Sequence, residues 1–278
     1  PAAEVPAANA APADEIVQPR GLAVLANGEV LVADFGNHRI QRRARDGAVL
    51  SQWGSHGDGL GQFKEPTGIA VSANGRIAVA DTWNGRVQFF TPGGQPDGQS
   101  AVAMYGPRGV AFGPDGSVYV ADTGNSRVVK LTPEGKLAAA IGGPGQGPGQ
   151  FAGPIGIAVD GQGLVYVADN GNGRLQILDP THQPSAAIAI EGWSNAVYSE
   201  PYVTVDRAGR IWVSVPLARQ LRAYDRQGKL LRTVDPAEAR PVPFDTPTGL
   251  GFDRVSDEIV IADLAGRVVR CQASVAAP

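Results

Sequence analysis

Four stretches of the chain place an Asp and an Arg five residues apart: Asp34 and Arg39, Asp81 and Arg86, Asp122 and Arg127, Asp169 and Arg174. At that spacing a carboxylate and a guanidinium can hold a turn through side-chain hydrogen bonds and a charge-assisted pair. Because the pair recurs from copy to copy, a structural role is expected for it. Repeated Asp and Asn also suit calcium, but the spacing lacks the alternating oxygen ligands and closing Glu of a dedicated calcium loop. A fifth pair, Asp263 and Arg267, is one residue tighter, and Val215 and Gln220 stand where a sixth would fall. Drift explains that copy blandly; a contact surface on the altered copy is the sharper reading. The three histidines, His38, His56 and His182, fall in three different kinds of segment, so no three-ligand metal site is expected. Cys271 is the only cysteine, which excludes an internal disulfide and a Cys-rich metal site. Its expected place is in a strand, as a small apolar residue. There is no Gly-x-Ser-x-Gly elbow and no phosphate loop. Neither a metal nor a cofactor is expected.

The elements that must position these residues follow from self-comparison. Pro19-Arg20-Gly21, Pro66-Thr67-Gly68, Pro107-Arg108-Gly109, Pro154-Ile155-Gly156 and Pro247-Thr248-Gly249 are copies of one another, and a degenerate copy begins at Pro201-Tyr202-Val203. Each opens a unit of roughly 40–47 residues. A short apolar strand comes first, then a turn such as Ala26-Asn27-Gly28 or Pro114-Asp115-Gly116, whose Asn-Gly and Asp-Gly supply positive φ. A second strand follows, as in Val118-Tyr119-Val120-Ala121, then the Asp-led loop. A third strand such as Arg86-Val87-Gln88-Phe89-Phe90 and a fourth such as Leu137-Ala138-Ala139-Ala140-Ile141 complete the unit. Four antiparallel strands per unit make a propeller blade. Six units predict an all-β fold, a six-bladed β-propeller over residues 15–278, with blades starting near 19, 66, 107, 154, 201 and 247.

Composition agrees. In 278 residues there are 37 Gly and 22 Pro, yet 43% are apolar, which suits many short strands and tight turns rather than disorder. A net charge of −3 with only 18% charged residues gives no global field for nucleic acid or an anionic membrane. No apolar run reaches the roughly 20 residues that span a bilayer. Residues 1–14 are mostly Ala and Pro, which reads as a semi-rigid linker or tail. With Pro1 first and Met104 as the single methionine, a processed or excised product outside the cytoplasm is expected, with the linker as its membrane tether. The sixth unit runs out after Val268-Val269-Arg270-Cys271. An open edge invites edge-to-edge pairing, so the segment near Asp14 to Val17 is expected to supply or cover the missing strand.

The loops Asp34-Phe35-Gly36-Asn37-His38-Arg39-Ile40, Asp81-Thr82-Trp83-Asn84-Gly85-Arg86-Val87, Asp122-Thr123-Gly124-Asn125-Ser126-Arg127-Val128 and Asp169-Asn170-Gly171-Asn172-Gly173-Arg174-Leu175 resemble the NHL-repeat consensus. The segments Gly54 to Phe63 and Gly142 to Phe151 resemble that family's Gly-rich connectors. The resemblance implies that ligands meet the propeller on the face where the first strands begin. The residues after each lead proline then ring the channel mouth: Arg20, Thr67, Arg108, Ile155, Tyr202 and Thr248. Two arginines, two hydroxyls and a phenol there suit an anionic or carbonyl group. Phe35 and Trp83 stand on the same face as candidate anchors for a protein or sugar, with packing onto the neighbouring loop as the alternative. Trp53 and Trp193 are expected to pack on outer strands. Some six-bladed relatives are lyases that hold zinc with histidines or lactonases that hold calcium, and some animal members bind RNA. The scattered histidines and the acidic balance set both readings below a non-catalytic module that binds a protein partner and no nucleic acid.

Overall fold

The computed structural model describes residues 14–194 and 200–275. All but Asp14 of the Ala/Pro-rich stretch lies outside the described residues. Six antiparallel sheets stand in a ring, five of four strands and one of three, each sheet following chain order. The innermost strands are Leu22–Val24, Pro66–Val71, Pro107–Phe112, Pro154–Val159, Val203–Val205 and Pro247–Asp253. The fold is the six-bladed propeller expected from the repeat.

Each blade's second strand is the most deeply packed. Val30–Asp34, Ile77–Asp81, Val118–Asp122, Val165–Asp169 and Ile211–Val215 are buried along their whole length. Blades press on both faces of these strands, so they read as continuous apolar runs rather than an alternation. Fourth strands such as Leu137–Ile141 form the rim and are mostly exposed. The cores accordingly lie between blades; one joins Leu31, Ile40 and Phe63 of the first blade to Ile69, Val79 and Phe90 of the second. Trp53, at the end of a fourth strand, packs on Phe90 at 6.0 Å between ring centroids. Trp193 is buried between the fourth and fifth blades and donates through Nε1 to the Ser214 carbonyl at 2.9 Å.

The Pro-x-Gly triplet has a steric reason. Gly21 N–H donates to the Thr67 carbonyl at 2.7 Å, and a Cβ on Gly21 would stand 2.5 Å from that same oxygen. Gly68 faces Arg108 O, Gly109 faces Ile155 O and Gly249 faces Arg20 O in the same way. The glycines let the inner strands approach backbone to backbone at the upper end of the channel, the end where those strands begin. In the fifth blade Val203 replaces the glycine. A Gly68→Ala variant is expected to lose about 1–3 kcal/mol of unfolding free energy in urea denaturation, because the blocking atom is a neighbouring carbonyl. A loss below about 0.5 kcal/mol would show that the collar relaxes freely.

The ring closes differently from expectation. Residues 15–17 do not pair with the sixth blade; they are the connector leading into the first. Val17 N–H donates to Asp34 Oδ1 at 2.8 Å, as Lys64 N–H does to Asp81 Oδ1 in the next blade. The free edge of Arg267–Gln272 is instead bridged by Arg240, with N–H···O bonds of 2.8 Å in both directions. The seam between the sixth and first blades is closed by Ile16, Leu22, Val30, Val32, Val260 and Ala262. Gly249 N–H also donates to Arg20 O at 2.8 Å, and Arg270 Nη2 donates to Gly28 O at 3.0 Å. No strand is shared across that seam among the described residues.

Cys271 is buried in the last strand, and burial pushes its thiol up to about 12.

Candidate functional site

The loops after the second strands, a single 3-10 turn in the first five blades and a plain turn in the sixth, lie on the upper face beside the starts of the first strands. The Asp that precedes each turn is fully buried in five blades. Asp81 accepts from Arg86 Nε at 2.8 Å, Asn84 Nδ2 at 2.9 Å, Gln88 Nε2 at 3.0 Å and the Lys64 N–H. Arg86 reaches on through Nη2 to the Gly59 carbonyl at 2.7 Å, tying its loop to the connector from the preceding blade. The pairs Asp34–Arg39, Asp122–Arg127 and Asp169–Arg174 repeat the contact at 2.7–2.8 Å, and Asp263 pairs with Arg267. These carboxylates have their lone pairs occupied and face the blade interior, not solvent. In the fifth blade Val215 packs into an apolar cluster with Trp193, so the polar knot is replaced by apolar packing. Sequence reasoning overlooked the glutamine two residues after the arginine: Gln41, Gln88 and Gln176 are buried, and Gln88 and Gln176 each bind both the Asp and the connector.

At the channel mouth the six residues after the lead prolines divide into two groups. Thr67 and Thr248 are buried and act as stitches between blades. Thr248 Oγ1 lies 3.1 Å from the carbonyls of Pro19, Arg20 and Ala262, and Thr67 Oγ1 pairs with Thr82 Oγ1 at 2.8 Å and lies 3.2 Å from Arg108 O. Their hydroxyls are therefore engaged by the protein itself, and Ile155 is core. Arg20, Arg108 and Tyr202 do converge, but on a residue that the repeat does not reveal. Glu200, the residue before the fifth lead proline, sits between the two arginines, with Arg20 Nε 3.2 Å from its Oε2 and Arg108 Nη1 hydrogen-bonded to its Oε1. Arg20 is only 5% exposed and its guanidinium lies over the Phe35 ring at 4.6 Å from the centroid. Phe35 is thus half-buried as the floor of Arg20 rather than a free anchor. Tyr202 is 7% exposed; burial, and next the Glu200 carboxylate, push its phenol well above the usual tyrosine range. Among the described residues the Tyr202 hydroxyl and Arg20 Nη1 are buried without a hydrogen-bond partner, and Glu200 Oε2 has only its ion pair with Arg20 Nε. Buried polar atoms left unsatisfied are rare in folded proteins, and two of them lie together at the mouth. The position before the lead proline was the available clue: Glu65 and Glu200 are its two carboxylates. Glu65 turns outward to Trp83 Nε1, while Glu200 turns in.

Around this buried centre the upper face carries exposed aromatics. Trp83 is 56% exposed and Tyr105, in the connector before the third blade, 62% exposed. Tyr105 N–H is held by Asp122 Oδ1 at 2.8 Å, so the buried knot below fixes the backbone that presents it. Of the histidines, His38 and His56 meet edge to face at 4.7 Å, while His182 lies apart, 3.1 Å from the Tyr119 hydroxyl. Burial, and next the charge on His56, hold His38 below the usual histidine range, and its Nδ1 accepts the Glu65 N–H at 3.1 Å. Among the described residues no group of three or more His, Cys, Asp or Glu is placed to hold a metal ion. No helix among them is long and apolar enough to cross a membrane.

With that geometry in hand, comparison with known proteins is informative about fold. The sequence pattern described as NHL repeat matches residues 17–42, 63–90, 104–131 and 151–178, the first four blades. No curated protein matches the chain. Among solved structures, a streptogramin B lyase superposes with a TM-score of 0.63 at 16% identity, over 96% of this chain and 81% of the other. A catalytically inactive virginiamycin B lyase from Staphylococcus aureus, solved with quinupristin, gives 0.64 at 14% identity over 94% and 86%. A chain of Kuenenia stuttgartiensis hydrazine synthase gives 0.64 at 13% identity over 94% and 97%. At such identities the likeness is one of fold.

Proposed function

The chain being an NHL-repeat six-bladed β-propeller, we propose that it is a non-catalytic binding module whose upper face docks a protein partner outside the cytoplasm. The observation that carries this reading is the pairing, on one face, of solvent-exposed Trp83 and Tyr105 with a polar mouth in which Arg20 Nη1 and the Tyr202 hydroxyl have no hydrogen-bond partner among the described residues. Large aromatics beside desolvated polar groups are what interface centres are made of. Arg108, the more exposed of the two arginines, is the group a partner meets first. A rigid disc held by buried Asp–Arg knots presents these groups without reorganising, which keeps the entropic penalty of binding low. The Ala- and Pro-rich composition of residues 1–14 favours placement outside the cytoplasm, because such composition is common in linkers that tether a domain to a carrier.

The test uses affinity capture from an envelope fraction with four baits: the parent, Trp83→Ala, Arg108→Ala and Leu137→Ala on the exposed outer rim. One protein species retained by the parent and by Leu137→Ala, and reduced at least about tenfold by each of the other two, is the expected result. Equal retention on all four baits would remove the upper face from consideration.

A further inference from the structure

The channel opens at the opposite end from the buried Arg20–Glu200–Tyr202 cluster. A cavity of about 480 Å³ is lined there by the inner strands of all six blades, and none of the cluster residues borders it. Two rings of side chains shape it. In the first, five blades contribute a small lining residue at the same register, Ala23, Ala70, Ala111, Ala158 and Thr204, and the sixth has Gly251 at that register. Small residues at all six positions keep the bore open. One residue further on, Val24, Val71, Phe112, Val159, Val205 and Phe252 form a half-exposed apolar collar. The volume lies in the range of small-molecule sites, roughly 300–1,000 Å³.

Beyond the collar the rim is charged, and the charges do not cancel. Asp160 is held by Arg226 at 2.8 Å and by the Tyr166 hydroxyl at 3.0 Å. Asp206 is held by Arg210 at 2.5 Å and by Trp212 Nε1 at 2.8 Å. Both rim carboxylates are thus engaged. Arg207 and Arg254, in the first hairpin turns of the fifth and sixth blades, also line the cavity and form no ion pair among the described residues. They are neighbours, since Arg207 Nη2 donates to the Arg254 carbonyl at 2.5 Å. Two arginines on neighbouring turns, without a counter-charge among the described residues and at the edge of an apolar collar, can fix an anionic head while the collar takes the rest of the molecule.

We propose that the lower channel is a binding site for a small amphipathic organic anion, a carboxylate or phosphate head on an apolar body, with Arg207 and Arg254 holding the head. This site is independent of the upper-face reading, and neither depends on the other. Its fit rests on asymmetry: the collar is sixfold, but the unpaired charge is confined to two adjacent blades, so the ligand has one orientation.

The probes are sodium octanoate and octyl phosphate, titrated into the full chain by calorimetry, with acetate and 1-octanol as head-only and tail-only controls. Saturable one-to-one binding of octanoate or octyl phosphate is expected, with both controls at least about tenfold weaker; the tighter of the two identifies the head. The double variant Arg207→Ala/Arg254→Ala, altered only at exposed hairpin positions, is expected to lose at least about tenfold in affinity with an unchanged melting temperature. Ala158→Trp, which fills the bore and leaves both arginines in place, is expected to lose a similar factor. Absence of saturable binding by both probes, or affinity unchanged in the arginine double variant, would overturn the proposal.

Discussion

Replacing Glu200 with Ala should lower the unfolding free energy by about 3–5 kcal/mol, the largest effect expected of any single change at the channel mouth. The reason is what it leaves behind. Arg20 is almost fully buried on the Phe35 ring, and Glu200 is the only carboxylate paired with it among the described residues. A buried guanidinium stripped of its counter-charge keeps its desolvation penalty and gains nothing in exchange. Removing Arg108 is milder, because Glu200 then keeps Arg20 and Arg108 is partly in solvent already. The ordering expected in urea unfolding is therefore Glu200→Ala far below the parent and Arg108→Ala close to it. A double change, Arg20→Met with Glu200→Leu, should recover much of the loss, since well-packed apolar pairs often equal buried ion pairs. Equal stability of the two single variants would mean that Glu200 is not the keystone of the mouth.

The second large effect is expected at Asp81. Its carboxylate, wholly buried, accepts from Lys64 N–H, Asn84, Arg86 and Gln88, so Asp81→Ala removes four hydrogen bonds at once and leaves Lys64 N–H and Arg86 Nε without that acceptor. A loss of about 3–5 kcal/mol follows from the penalty for unsatisfied buried groups, with the charged donor dominating. Asp122→Ala should be gentler. Valine, Val129, occupies the glutamine position in that blade, and Arg127 is more exposed than Arg86. Comparing the two in parallel denaturation curves separates the polar knot from a mere volume change, which is the same in both. If the Asp122 variant proves the weaker protein, the glutamine contributes nothing.

The six blades were legible because a propeller writes its architecture locally. The Pro-x-Gly triplets, the Asn-Gly and Asp-Gly turns and the Asp-led loops each act within a few residues or against the adjacent blade. The repeated Asp and Arg could be read as a pair, but not the glutamine beside them, because Gln88 looks like any polar residue alternating along a strand. Glu200 was invisible for a different reason. It pairs with Arg20 and Arg108, residues two and four blades away in the chain, and only ring closure brings all three together. The threonines at the mouth were read as open hydroxyls, whereas the close approach of neighbouring inner strands puts backbone carbonyls within their reach. The outer edge of the sixth blade is met by Arg240 and not by the segment near Asp14 to Val17, whose Ile16 packs at the seam instead. Arg240 lies in the connector before the sixth blade and carries no repeat signature that would mark it as an edge cover.

The seam between the last blade and the first has a consequence for how the chain could be rearranged. Because its closure uses side chains and one backbone bond of the kind found between other blades, no strand among the described residues is threaded from one end of the chain into the other. The linear order of the blades is then nearly interchangeable with a rotated order. A circular permutant with the ends joined by a flexible linker and new termini opened in an exposed connector would keep every sheet intact.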